Sequence, residues 1–360
     1  MEHNNRYLLL LLLSVVTLHF LAFRSNAATN LSAIYAFGDS VFDAGNNNKL
    51  PTLCLANHEP YGINFPGKIP SGRFTNGKLP ADMLIKDLGI KDFLPAYLDP
   101  AVTASDILTG VTFASSCSGL DDLTAGMVGV LSMEAQFSNF EKAFKEMEGK
   151  FGLQKAGRAV QNALFLVSGG ANDMMDNYYA LPLRRIYSVS AYHDILLSNL
   201  HTFIQKLTNR GAKRLAVIGM PPLGCLPVDV TIESFNSSDK LNKRRCKRQH
   251  NLEAQSYNSK LRAFVTKMLV EMPGIKIAYM DIYNPMMQMI RNPNLFGLNT
   301  TLEGCCGTGS LELGPFCTIL ARTCENPSKY LFWDAAHPTQ ATYQVLLQKF
   351  KYNVLPTLLK

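Results

Sequence analysis

The sequence predicts an α/β protein built on a mostly parallel sheet, and two observations carry that prediction. Short, continuously apolar runs recur along the chain, as expected of strands that are buried on both faces. Longer amphipathic stretches separate these runs, and strands that alternate with helices form βα units. In open sheets of this kind ligands bind at the carboxyl ends of the strands, so catalytic residues should directly follow a strand.

Each element is predicted from its own run of residues. The apolar runs predicted to be strands are Ala33 to Phe37, Val111 to Ala114, Ala163 to Ser168, Arg214 to Ile218 and Ile275 to Met280. The amphipathic patterns predicted to be helices are Ala81–Leu88, Ser132–Met147, Ser190–Asn209, Arg248–Met272 and Thr339–Tyr352. No repeat, low-complexity tract or long Pro/Gly/Ser linker divides the chain, which predicts a single domain over residues 28–360.

The N-terminus has the pattern of a secretory signal peptide. A polar segment containing Arg6 precedes an apolar run from Tyr7 to Phe23, and the small-x-small sequence Ser25-Asn26-Ala27 follows. We therefore expect residues 1–27 to be removed and the protein to be secreted, with a location such as the cell wall. A membrane anchor is the alternative, since the run is at the lower limit of a span. No charged stop-transfer cluster follows it, so no stable span is expected after processing.

Two further features are typical of an exported protein. Sequons predict glycosylation at Asn30, Asn236 and Asn299. All eight cysteines follow the leader, and an even number in an oxidising compartment favours disulfides.

The sequence does not fix how these cysteines pair. We expect a Cys225–Cys246 bridge and at least one more among the late four, which are Cys305, Cys306, Cys317 and Cys324. A zinc site in the late group is the alternative. It is disfavoured because adjacent cysteines lack the spacing that points two thiolates at one metal. No metal site is predicted.

The formal net charge is +7, and much of the excess lies in one basic run. Its members are Lys240, Lys243, Arg244, Arg245, Lys247 and Arg248. Such a run raises the possibility of nucleic-acid binding, which export argues against. A solvated helix face is the preferred interpretation, and contact with an acidic cell-wall polymer is the alternative.

Three segments carry residues suited to acyl chemistry. Ser40 follows the first predicted strand in Gly38-Asp39-Ser40, where free backbone N–H groups favour an anion. Asn172 follows the third, where a side-chain amide can donate to an oxyanion. His337 has a carboxylate, Asp334, three residues before it, which can orient an imidazole. Taken alone, the Ser40 segment is better explained by a helix cap or turn and the Asn172 segment by a turn, while a cap explains the His337 segment equally well.

Several better-known motifs are absent from the sequence. The G-x-S-x-G elbow does not occur, nor does H-E-x-x-H, a P-loop or a dinucleotide glycine fingerprint.

Taken together, these segments resemble the plant extracellular GDSL esterase/lipase family of the SGNH hydrolase superfamily. The resemblance extends in order through nearly all of the chain after the leader. The matching segments are Phe37 to Asn48, Tyr61-Gly62, Ser71 to Gly77, Gly110 to Gly119, Gly170 to Asp173, Pro221 to Cys225, Cys305 to Gly309 and Phe332 to Pro338.

The resemblance implies a fold, a reaction and roles. The fold is a three-layer α/β/α, flavodoxin-like sandwich with a five-stranded parallel sheet. Ser40 is the implied nucleophile, His337 the general base and acid, and Asp334 its supporting carboxylate. Asn172 and the Ser40 backbone N–H are implied oxyanion donors. No metal or cofactor is implied.

One position departs from the family pattern. Cys117 occupies a place where the family usually has a glycine whose N–H completes the oxyanion hole. A backbone N–H survives the replacement, but a positive φ there costs about 1–2 kcal/mol for a residue with a Cβ. The thiol would also narrow the site, and a second nucleophile at Cys117 is a minor alternative. We expect activity that is reduced or shifted in substrate.

The leading functional hypothesis is a secreted ester hydrolase acting on small-molecule or lipid esters. An extracellular acyltransferase would share the acyl-enzyme and differ in what attacks it. A catalytically weakened binding protein on the same scaffold is the alternative from another class, motivated by Cys117.

Overall fold

A computed structural model describes residues 31–236 and 244–359. The predicted signal peptide, the Asn30 sequon, the Asn236 side chain, Lys240 and Lys243 lie outside these residues. The strands are β1 (Ala33–Phe37), β2 (Ala163–Val167), β3 (Arg214–Ile218), β4 (Lys276–Met280), β5 (Thr300–Gly304) and β6 (Tyr330–Phe332).

Helices of varied length surround these strands. They are α1 (Pro80–Asp87), α2 (Ala104–Thr109), α3 (Asp122–Val128), α4 (Met133–Phe151), α5 (Leu153–Gln161), α6 (Val189–Asn209), α7 (Pro227–Asn236), α8 (Arg248–Glu271), α9 (Tyr283–Arg291), α10 (Gln340–Asn353) and α11 (Leu355–Leu359). A π-helical segment spans Asp173–Ala180.

The main sheet has the parallel order β1-β2-β3-β4. β1 and β2 are buried along their whole length, which is why their sequences are continuously apolar. The α/β class and the parallel sheet are confirmed.

The prediction of a fifth full strand was wrong. The run from Val111 to Ala114 lies beside β1 but forms isolated parallel bridges rather than a strand, and they join Thr112 to Ala36 and to Ala96. The Thr112 hydroxyl donates to the Phe42 carbonyl at 2.8 Å, and a turn closed by Ser118 follows at once. Local side-chain bonding and an early turn keep this segment from extending as a regular ladder.

Two groups of helices pack on the sheet. In the first, α1 contacts β1 and α10, while α11 contacts β3 and β4. In the second, α4 packs on α6, α6 packs on α8, and α8 contacts β4. The core between them is rich in aromatic residues, with the Phe37 ring stacked on Phe113 at 5.1 Å between centroids.

The parallel pair β5–β6 lies outside the main sheet, and the sequence did not predict it. β5 is half-buried and polar in sequence (TTLEG), and β6 has only three residues, so neither gives a strand signal. β6 nevertheless leads directly into Trp333 and Asp334 and so positions that turn.

Four disulfides pair all eight cysteines: Cys54–Cys117, Cys225–Cys246, Cys305–Cys324 and Cys306–Cys317. The expected Cys225–Cys246 bridge is confirmed, and the late group forms two bridges. That group therefore offers no free thiolates for zinc. Within residues 31–236 and 244–359, no three His, Cys, Asp or Glu side chains are placed to hold a metal ion.

Three of the four described residues of the basic run, which are Arg244, Arg245 and Lys247, precede a helix rather than lie on its face. Residues 244–247 are non-helical, and α8 begins only at Arg248. The Arg244 guanidinium is half-buried and donates to the carbonyls of Leu302 and Pro227. The interpretation as a wholly solvated face was wrong for Arg244, because its charge satisfies backbone acceptors. Across the described ranges, no helix is both long and apolar enough to cross a bilayer.

Candidate active site

Ser40 lies in a tight turn three residues after the end of β1. Gly38 has φ +116°, and a Cβ there would lie 2.0 Å from the Ser168 carbonyl oxygen, so only glycine fits. The Gln136 side chain accepts from the Gly38 N–H at 2.8 Å and donates to its carbonyl at 2.9 Å. These contacts fix the turn that presents Ser40 at the carboxyl end of the sheet.

The Asp39 side chain points back into the protein rather than toward a reacting group. Its carboxylate accepts from the Ser168 hydroxyl at 2.6 Å and from the Val41 N–H at 3.1 Å. Burial raises the pKa of Asp39. Asp39 therefore stabilises the turn through hydrogen bonds on its buried side.

A serine, a histidine and an aspartate form one continuous hydrogen-bonded line. His337 Nε2 lies 2.8 Å from Ser40 Oγ, and His337 Nδ1 lies 2.8 Å from Asp334 Oδ2 and 2.9 Å from Oδ1. Because a carboxylate only accepts, the Nδ1 proton points at Asp334 and leaves Nε2 to accept from Ser40. Residues 297 positions apart thus meet in the arrangement that activates a hydroxyl.

The Asp334–His337 turn is held from two sides. Asp334 Oδ1 accepts the backbone N–H groups of Ala336 and His337 at 2.9 and 2.7 Å. The Tyr61 hydroxyl donates to Asp334 Oδ2 at 2.7 Å, and burial raises the pKa of Tyr61, so it remains a donor. The Phe74 ring lies 4.8 Å from the imidazole.

Tyr61 and Phe74 are site residues to which the sequence analysis gave no role. Both lie in segments that carried the family resemblance, which was the available signal. Their partners are more than 250 residues away in the chain, so nothing local in the sequence indicates the contact.

Asn172 lies just beyond β2 on the same edge as Ser40. Its Nδ2 donates one proton to the Ser118 carbonyl at 2.8 Å, which leaves a second amide proton for another acceptor. The next residue, Asp173, accepts from the N–H groups of Leu120 and Asp121 at 2.8 and 2.9 Å. Burial raises the pKa of Asp173 to about 6. These bonds tie residues 118–121 to the end of β2.

Cys117 adopts the backbone conformation that glycine favours. Its φ is +64°, so the expected strain applies, and its Sγ is bonded to Cys54. The alternative of a nucleophilic Cys117 was wrong, because the sulfur is held in a disulfide. In the described residues, neither the Cys117 nor the Ser40 backbone N–H has a protein acceptor, so both remain able to donate to an oxyanion.

A cavity of about 680 Å³ opens over these groups. Its volume suits a small organic ligand. The cavity is lined by Ser40, Asn172, Cys117 and His337 together. Much of its wall is apolar and rich in methionine, an adaptable side chain: Met175, Ile218, Met220, Leu226, Met280 and Met286. Leu53 and Phe316, which also line the cavity, are 77% and 73% exposed.

The sequence of this chain is similar to those of known proteins. A family model described as GDSL-like lipase/acylhydrolase matches residues 34–350. Two similar proteins are Arabidopsis thaliana GDSL esterase/lipases. At2g40250 is 45% identical over 91% of this chain and 91% of its own length. At1g06990 is 44% identical over 87% of this chain and 86% of its own length.

A third Arabidopsis thaliana relative, GDSL esterase/lipase EXL3, is 39% identical over 88% of this chain and 86% of its own length. The family match extends over most of the chain and includes Ser40, Asp334 and His337. The chain therefore belongs to the GDSL-like lipase/acylhydrolase family and is a carboxylic ester hydrolase.

Proposed function

We propose that the enzyme cleaves esters through an acyl-enzyme on Ser40. His337 Nε2 takes the Ser40 proton as Oγ attacks the ester carbonyl carbon. The protonated imidazole then gives that proton to the departing alcohol, and water attacks the acyl-enzyme by the same route. Asp334 keeps the imidazole in the required tautomer and stabilises its cation. The 2.8 Å contact between Ser40 Oγ and His337 Nε2 carries this proposal.

The oxyanion formed by that attack needs donors that no other group uses. The backbone N–H groups of Ser40 and Cys117, which have no acceptor among the described residues, and the second amide proton of Asn172 provide three candidates. One such donor is worth about 3–4 kcal/mol in the transition state. Cys117 donates through its backbone, so the loss of a glycine at this position leaves the donor in place.

The apolar cavity supports an acyl group with a hydrocarbon chain as the substrate. Burial of one CH₂ group contributes about 0.8 kcal/mol, so kcat/KM should rise with chain length until the cavity is filled. p-Nitrophenyl esters of graded acyl length test this expectation.

Export is part of the proposal. The signal-peptide pattern, the four disulfides and the exposed position of Asn299 in its sequon support a secreted, glycosylated enzyme. The apparent mass before and after glycosidase treatment of protein from a culture medium tests both points.

The decisive experiment is covalent labelling with a fluorophosphonate probe. The wild-type enzyme should be labelled, and Ser40→Ala and His337→Ala should not. Ser40→Ala should lose kcat on p-nitrophenyl esters by about 10⁵-fold or more. Ser259→Ala, at an exposed position of α8, is the matched control. Substantial turnover by Ser40→Ala would rule out the mechanism.

A further inference from the structure

A second aspartate–histidine pair lies in the wall of the same cavity. His250 Nδ1 is 2.9 Å from Asp229 Oδ2, and both residues line the cavity. The His250 side chain is buried, with 8% of its surface exposed. Its ring is stacked on Tyr179 with centroids 3.5 Å apart and planes 3° from parallel.

This second pair is attached directly to the catalytic turn. The backbone N–H of Val228, the residue before Asp229, donates to the Ala335 carbonyl at 2.9 Å. Ala335 lies between Asp334 and His337 in the chain. Asp229 is therefore held at a fixed position relative to the turn that carries His337.

His250 is fixed just as firmly from its own side. It lies in the first turn of α8, four residues after Cys246, whose disulfide joins this segment to Cys225. The neighbouring Asn251 accepts from the Gly224 N–H at 2.9 Å. The Tyr179 hydroxyl donates to Glu253, one turn further along α8. The imidazole can therefore present a polar atom without a large loss of side-chain freedom on binding.

The polar atom that it presents is Nε2. Because the Asp229 carboxylate only accepts, the Nδ1 proton is directed at it, and in that tautomer Nε2 carries a free lone pair. In the described residues, Nε2 has no protein partner, whereas Nδ1 is satisfied. No serine, threonine or cysteine of those residues lies within hydrogen-bonding distance of Nε2. The pair is thus unsuited to activating a nucleophile and suited to accepting a hydrogen bond.

Other polar groups line the cavity together with His250. Asp176 is one, and burial raises its pKa to about 6. Arg185 is another, and it donates to the carbonyls of Tyr178 and Tyr179. An acceptor atom set in a largely apolar wall discriminates strongly, since a ligand that leaves it unpaired loses binding energy.

We propose that His250 Nε2, oriented by Asp229, is a specificity subsite that accepts a hydrogen bond from a hydroxyl group of the substrate. The substrate class is an ester that carries a free hydroxyl away from the bond that is cleaved. The hydroxyl belongs either to a hydroxylated acyl chain or to a polyol alcohol part. This inference rests on the proposed reaction at Ser40, and it names which esters that reaction selects.

The experiment measures a ratio of kcat/KM values in two arms. One arm compares a p-nitrophenyl hydroxyalkanoate with the p-nitrophenyl alkanoate of equal chain length. The other compares a glycerol monoester with the corresponding propyl ester. In the arm that carries the hydroxyl on the part of the ester that contacts His250, kcat/KM of the wild-type enzyme should be about tenfold higher for the hydroxylated ester. That ratio corresponds to one hydrogen bond.

His250→Phe keeps a flat ring against Tyr179 and removes both nitrogens. The preference in that arm should fall to about one. Since the variant leaves the Asp229 carboxylate unpaired, His250→Phe/Asp229→Val provides a second test if the single variant does not fold. His201→Phe, on α6 and packed on Phe264, is the matched control and should keep the wild-type ratio.

Two results would overturn the inference. One is a wild-type enzyme without a preference in either arm. The other is a His250→Phe enzyme in which both esters lose kcat/KM by the same factor, because a purely structural role predicts that outcome. Either result leaves the Ser40 mechanism intact, because fluorophosphonate labelling of Ser40 reports on it independently.

Discussion

Two aspartate–histidine pairs each contribute a histidine to the cavity wall, and their imidazoles lie at similar distances from their carboxylates. His337 Nδ1 and His250 Nδ1 lie 2.8 and 2.9 Å from their carboxylate oxygens, and both carboxylates are buried. They differ at the far edge of the ring, where His337 Nε2 meets Ser40 Oγ at 2.8 Å and His250 Nε2 meets no protein group of the described chain.

This difference shows that a carboxylate-bound imidazole does not define a catalytic base by itself. Asp334 and Asp229 both fix a tautomer and an orientation. What the ring can do then depends on the atom placed against Nε2. Sequence reasoning selected His337 for its nearby carboxylate, and it missed His250 because Asp229 is 21 residues away in the chain.

The sharpest test compares the two carboxylates. Asp334→Asn should reduce kcat on a plain p-nitrophenyl ester by about 10³–10⁴-fold, because an amide can hold the wrong tautomer of His337. Asp229→Asn makes the same chemical change at the other pair and should not approach that loss. Steady-state kinetics of the two variants provide the measurement. Equal losses would show that the two pairs act as one unit.

The disulfides near the two pairs allow a comparison of stability. Cys54–Cys117 and Cys225–Cys246 span 63 and 21 residues. Loop closure then predicts losses of about 4 and about 3 kcal/mol when each pair is replaced by alanine. Cys54→Ala/Cys117→Gly should lose about 1 kcal/mol less than Cys54→Ala/Cys117→Ala, because glycine tolerates a φ of +64°.

Denaturant unfolding of the three double variants measures these free energies. If glycine and alanine at position 117 give the same stability, the backbone of Cys117 stores no strain.

His193 is the contrasting case of a buried histidine without a carboxylate. Neither ring nitrogen has a hydrogen-bond partner, and burial lowers the pKa of His193 to about 4. The unfolded chain takes up a proton near pH 6.5, whereas the folded protein does not until about pH 4. Stability should therefore fall as the pH drops from 6.5 to 4, by up to about 3 kcal/mol.

His193→Phe removes that proton uptake, so its unfolding free energy should depend less on pH in this window. Chemical unfolding at several pH values, with His201→Phe as the control, measures the slopes. Parallel slopes for wild type and His193→Phe would contradict the assignment.

The smallest expected effect concerns the hydroxyl that supports Asp334. Tyr61→Phe removes the 2.7 Å bond to Oδ2 and should lower kcat about tenfold, as expected for one hydrogen bond to a charged group. KM should change little, because Tyr61 does not line the cavity. Tyr352→Phe, at a position 76% exposed, is the control. An unchanged kcat in Tyr61→Phe would show that the backbone hydrogen bonds of its own turn are enough to hold Asp334 in place.

The sequence predictions were accurate where the signal lay within one segment of the chain and failed where it depended on contacts between distant segments. β1 to β4 were predicted because buried parallel strands are continuously apolar. The segment around Thr112 was not distinguished from a full strand, because its side-chain bond to Phe42 and the following turn depend on tertiary contacts. Four site residues were predicted from their positions in turns next to predicted strands or helices and from the family resemblance: Ser40, Asn172, Asp334 and His337. The contact of Tyr61 with Asp334 and the disulfide between Cys54 and Cys117 were not predicted, because they join residues that are far apart in the chain.

The distance in sequence between Ser40 and His337 has a consequence for biosynthesis. Ser40 is translated 297 residues before His337, and Asp334 emerges from the ribosome only just before His337. A growing or prematurely terminated polypeptide thus contains the hydroxyl without the imidazole that activates it. The proposed ester cleavage can therefore begin only after Asp334 and His337 have been synthesised, so a nascent chain that stops before them should be inactive.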